Sequence, residues 1–145
     1  MREWLYPDRK EILETLRKCL TLTTVPVIIA RRTPYVSYRL LARCGVIFHQ
    51  TYNQRIPAAD KELAEKAKHK DLLGYHDIRL GNEADDRLHT FVQETLPDIA
   101  EEMRGRFDEN YDLLSEWAFG SMDYTEFAAR IRRREQGTNE DFDAE

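Results

Sequence analysis

Two adjacent arginines, Arg31 and Arg32, stand directly before a Thr33-Pro34 pair. Further on comes the polar-aromatic run His49-Gln50-Thr51-Tyr52-Asn53-Gln54. Guanidinium groups at the mouth of a helix suit an anion such as phosphate, because a helix N-terminus presents unpaired N–H groups and partial positive charge. The side chains of His49, Gln50, Asn53 and Gln54 offer donors and acceptors for phosphates or base edges. A plainer reading uses the same residues: two solvated arginines that close a strand, and a loop whose amides satisfy turn backbone. Arg31, Arg32, His49, Gln50 and Gln54 form the candidate nucleic-acid-binding set.

Other groups carry weaker chemistry. His76 stands beside Asp77 in "GYHDI". Neighbours on a strand point to opposite faces, which argues against a catalytic pair there. Asp85-Asp86 are metal ligands or, more simply, dipole partners at a helix start. The run "RIRRRE", Arg130 to Glu135, reads as a solvated helix face or a phosphate contact that the acidic tail behind it offsets. Walker loop, nucleophile elbow, zinc signature and Rossmann glycine fingerprint are all missing from the sequence. No catalytic residue is assigned on these grounds, and no metal ligand.

These groups need elements to position them. Asp8 and Glu11 have capping-box spacing ahead of Ile12, Leu13, Leu16 and Leu20, which predicts a helix from about Arg9 to Leu20. "VPVIIA" reads as a strand at about Val25–Ala30, buried on both faces, with Pro26 near its start. Thr33 as N-cap, Pro34 at the first helical position and Gly45 beyond the end bound a helix over Pro34–Cys44. A second strand follows at about Val46–Gln50. The unit is βαβ, with adjacent parallel strands and a right-handed crossover. In it, Arg31, Arg32 and His49–Gln54 share one sheet edge, the carboxyl edge where open α/β sheets bind ligands.

Beyond it, Pro57 to about Lys70 reads as a helix with Ala59, Leu63 and Ala67 on one stripe. "DLLGYHDIRLGN" is a short strand or a structured loop. From Asp85 the chain is helical, with Leu88, Phe91, Val92, Thr95 and Leu96 on one face. Pro97 starts a new helix or kinks this one. Ile99, Met103, Phe107, Tyr111, Leu114 and Trp117 continue an apolar face, and Asp123 with Glu126 caps a last helix. "QGTNEDFDAE" is polar and acidic, expected to be disordered. The expected organisation is an α/β core over 1–56, helices packed on it over 57–135, and a tail over 136–145.

At 145 residues the chain is long enough to bury a core without staples. A net charge of −5 argues against general nucleic-acid stickiness, though a local basic face works on an acidic protein. Cys19 and Cys44 both fall in expected helices as small hydrophobes. Such sparse usage fits reduced thiols in a cytoplasm and offers no zinc cluster. No apolar run approaches a membrane span, and the start lacks the apolar core of a signal peptide.

The residues "REWLYPDRKEILETLRKCLTLTTVPVIIARRTPYVSYRLLARCGVIFHQTYNQ" resemble the later half of the core of PD-(D/E)XK nucleases, the restriction-endonuclease-like fold. "REWLYPDR" matches the polar turn, "KEILETLRKCL" the first helix and "VPVIIARR" the buried strand. The resemblance covers roughly the first 55 residues. It implies a βαβ unit of such a core followed by a helical C-terminal segment, and work in DNA or RNA processing or in defence against foreign DNA. The family's catalytic strands would precede Arg2, and no Glu-x-Lys on an expected strand replaces them. "DKELAEK" and "AEKAK" lie on a helix, where that spacing is ordinary surface charge. The expectation is therefore a fragment, a late start, or a scaffold kept without catalysis. Mg²⁺ is implied only if the upstream strands are supplied. Two rivals remain: a protein-interaction or self-associating module using an exposed stripe on Phe107, Tyr111, Leu114 and Trp117, and a small α/β enzyme with His49 or His76 in a deep pocket.

Overall fold

The computed structural model describes residues 9–69, 78–83 and 85–137. Helix α1 (Lys10–Leu22) precedes strand β1 (Val27–Ala30), helix α2 (Tyr35–Arg43) and strand β2 (Ile47–Gln50). The two strands pair in parallel, Val27 beside Ile47 and Ala30 beside Gln50, with α2 as the crossover. The expected βαβ unit is therefore present. A second parallel pair follows: β3 (Gln54–Ile56) and β4 (Ile78–Leu80), with helix α3 (Lys61–Lys68) between them in the chain. Then come α4 (Asp86–Thr90), a π-helical turn over Phe91–Thr95, α5 (Leu96–Glu109), α6 (Tyr111–Ala118) and α7 (Tyr124–Gln136). The fold is mixed α/β and dominated by helices.

Local chemistry explains most boundaries. At the end of α2 the Gly45 N–H donates to Ala42 O and the Val46 N–H to Leu41 O, a Schellman cap with Gly45 at φ 85°. Leu41 and Val46, the pair that should touch across such a cap, are both fully buried. Gly45 is also required sterically: a Cβ there would collide with the Met103 carbonyl and come within 2.5 Å of the Phe107 nitrogen on α5. Asp123 Oδ1 accepts from the Glu126 N–H at 2.9 Å and caps α7 as expected, and Asp85 caps α4 in the same way through the Leu88 N–H. Pro97 neither breaks nor restarts the helix sharply. The turn before it widens to π form, which accommodates a residue that cannot donate.

Several expectations are corrected. Helix α2 begins at Tyr35 with Pro34 as N-cap, so Thr33 is not its side-chain cap. Thr33 is instead buried, with its hydroxyl unpartnered. Helix α1 starts after Arg9, and Asp8 lies outside the described residues. Strand β1 is not buried on both faces: Val27 and Ile29 are 40% and 49% exposed, because the two-stranded sheet is covered unevenly. On α3 the buried pair is Ala64 and Ala67, and Leu63 is 57% exposed. Within "DLLGYHDIRLGN", Ile78–Leu80 is a strand, the first of the two forms expected there. The 138–145 tail and the His76-Asp77 pair lie outside the described residues.

The main core joins Leu16 and Leu20 of α1, Leu41 of α2, Phe107 of α5, Leu114 and Trp117 of α6, and Phe127 of α7. The Trp117 ring stacks on Phe127 at 4.5 Å. The helices that follow residue 57 thus close the core of the α/β front. A smaller cluster of Ile56, Ala64, Ala67 and Ile78 holds the second strand pair. A third, of Ile47, Phe91 and Met103, seats α5 and the π turn on β2. Cys44 lies in the main core, where burial pushes its thiol up to about 12. No described helix is long and apolar enough to cross a membrane.

Candidate functional site

The parallel register brings the ends of β1 and β2 to one edge. The Thr51 N–H donates to Ala30 O at 2.9 Å, and the Tyr52 N–H to Arg31 O at 3.1 Å. Arg31 Nη1 donates to Gln54 Oε1 at 3.2 Å. Gln50 Oε1 accepts from the Thr33 N–H at 3.0 Å, tying β2 to the approach to α2. Arg31, Gln50 and Gln54 therefore meet as the spacing suggests, but the two amides are already bound within the protein. Arg32 is exposed at the same edge.

His49 is placed differently. Neighbours on a strand face opposite ways, so the pleat separates it from Gln50. Its ring stacks on Phe91 at 4.4 Å, and its Nε2 is buried and unpartnered. Burial, followed by the charge of Arg87, lowers its pKa and favours the neutral ring. The open cleft beside it, about 540 Å³, is lined also by Tyr38, Phe48, Asp86 and Arg87. His49 is thus a neighbour of the arginine edge rather than a member of it.

Two tyrosines lie beside this edge: Tyr52, part of the polar-aromatic run, and Tyr35, which the spacing did not single out. Tyr35, at the start of α2, is 70% exposed. The Arg39 guanidinium lies over its ring, 5.9 Å from the centroid. Tyr52 is 45% exposed, with Arg87 over its ring at 5.2 Å. Tyr52 also has φ 57°, a left-handed conformation that a bulky residue seldom adopts. A readable signal lay in the charge order. Between Glu14 and Asp60 the sequence has no Asp or Glu and seven Lys or Arg. The remainder therefore holds 15 Lys and Arg against all 27 acids.

The arginine run of α7 is largely committed elsewhere. Arg134 grips Asp112 through both nitrogens, at 3.0 and 2.9 Å, and also donates to Glu109 O. That side-chain hydrogen bond holds the Asp112 carboxyl below its usual range. Arg130 pairs with Glu126 at 2.7 Å, and Glu135 is held by Arg43 at 2.8 Å. The stripe offered for partner docking is mostly consumed too, since Phe107, Leu114 and Trp117 are core residues. Among the described residues no three His, Cys, Asp or Glu side chains converge as metal ligands. Comparisons with protein-family models, curated proteins and solved structures found no match for this chain.

Proposed function

We propose that the carboxyl edge of the β1–α2–β2 unit contacts nucleic-acid phosphates, and that the chain is the non-catalytic, nucleic-acid-contacting part of a nuclease-like domain in DNA or RNA processing or defence. The observation that carries this reading is charge segregation. A chain of net charge −5 should repel a polyanion, yet its acid-free stretch contains Arg31, Arg32 and Arg39 at and beside one strand end. The first N–H groups of α2 add to that field. Its N-cap is Pro34, and no side chain caps it.

The test is fluorescence anisotropy of the purified chain with a labelled nucleic acid at several salt concentrations. Each phosphate neutralised contributes about −0.9 to the log–log salt slope on duplex DNA, and about −0.7 on a single strand. Arg31→Ala with Arg32→Ala should weaken binding and flatten that slope. Replacing Arg132, Arg133 and Arg134 should do less, because Arg134 is spent on Asp112. Absence of binding at low salt, or a loss confined to the α7 variant, rules the edge out.

A further inference from the structure

We infer that this edge takes single-stranded nucleic acid, with bases stacked on Tyr35 and Tyr52 on either side of the Arg31-Arg32 pair. The inference rests on the phosphate-binding reading and narrows it to a strand type. Tyr52 is tied to Arg31 by the hydrogen bond from its own N–H to Arg31 O. Tyr35 follows Arg32 by three positions and opens α2. One tyrosine is thus joined to Arg31 through the backbone, the other lies three residues beyond Arg32, and both rings are exposed.

Each ring has an arginine over it, Arg39 on Tyr35 and Arg87 on Tyr52. Such a pair joins a π face to a cation that reaches the next phosphate, the combination by which single strands are held without sequence readout. A duplex keeps its bases stacked on one another and would leave both rings idle. Tyr52 adds an independent sign. The fold keeps a bulky side chain at a positive φ where glycine would be free of strain. The Thr51 hydroxyl donates to Asn53 O at 2.9 Å and braces this turn. The Tyr52 ring is about half in solvent and is otherwise covered, with Arg87 over it.

The experiment uses the full chain, labelled oligothymidylate, oligouridylate and a duplex of matching length, read by anisotropy at low salt. Single strands should bind about tenfold tighter than the duplex. A preference between the two oligomers then identifies DNA or RNA as the source of the strand, and either satisfies the inference. Tyr35→Ala and Tyr52→Ala should each lower single-strand affinity about tenfold, the fold-change equivalent of losing one base–aromatic stack. Duplex affinity should stay within about twofold. Tyr35→Phe and Tyr52→Phe should keep single-strand binding. Tyr52→Gly should melt no lower than wild type yet bind as weakly as Tyr52→Ala, which separates loss of the ring from loss of the fold. If duplex and single strands bind equally, and only Arg31→Ala with Arg32→Ala matters, the strand-type inference falls while the phosphate edge stands. If nothing binds, both fall.

Discussion

The two ends of α2 differ as sharply as any two regions of this protein. At its C-terminus the backbone is capped by its own hydrogen bonds, Gly45 admits the α5 backbone, and Cys44 and Val46 are fully buried. At its N-terminus no side chain caps the helix, Tyr35 and Val36 face solvent, and arginines crowd the approach. One end is specified by packing and tolerates no extra atom. The other has no side-chain cap and gathers positive charge. The difference teaches where to look for function on a chain without a recognisable motif: at the end of an element where the local rules go unfulfilled.

The largest expected effect tests the closed end. Gly45→Ala must overpack against α5 and place a Cβ at a positive φ, together costing about 3–5 kcal/mol. Urea denaturation followed by circular dichroism measures it. A loss under about 1 kcal/mol would mean that this end is no tighter than the other.

At the open end the effects should be smaller and of opposite sign for two neighbouring groups. Gln50→Ala removes the acceptor of the Thr33 N–H and should cost about 1–2 kcal/mol. Thr33→Val removes a buried hydroxyl that has no partner, so it should be neutral or stabilising by up to about 1 kcal/mol. The same denaturation series checks both. If Thr33→Val is the more damaging of the two, the hydroxyl has a role that the geometry does not show.

The smallest effect is a pH dependence at His49. Its folded-state pKa lies below the ordinary 6.5, so the unfolded chain binds the proton more readily. This contribution to stability is complete above the unfolded pKa and is lost as pH falls through the folded one. Stability should therefore decline slightly on acidification below about pH 6.5. His49→Phe should remove that part of the slope while retaining an aromatic ring beside Phe91. An NMR titration midpoint for His49 above 6.5 would contradict the burial argument.

Much of the frame was legible because its signals are local. Gly45 ends a helix through bonds that span a few residues, Asp123 caps the next turn, and the β1–α2–β2 order follows from hydrophobic periodicity between these stops. The pair β3–β4 was not legible as a pair. Each strand is three residues long, and Gln54 and Arg55 carry no strand pattern that distinguishes them from a loop. The candidate set at the sheet edge was half legible: the parallel register brings Arg31 to Gln54, while stacking on a distant Phe91 takes His49 away.

The sequence by itself determined the charge segregation, the helix stops and the parallel unit, since these depend on residue order and on interactions within a turn or two. Only the tertiary structure decided which arginines are committed to carboxylates. Arg134 meets Asp112 across the contact of α6 with α7, and Arg43 meets Glu135 across that of α2 with α7. Tertiary structure likewise left Val27 and Ile29 exposed on a strand whose composition reads as buried. The reason is physical: periodicity states that a face is apolar, but the cover for that face, and the partner for each charge, come from residues whose distance along the chain carries no local signal.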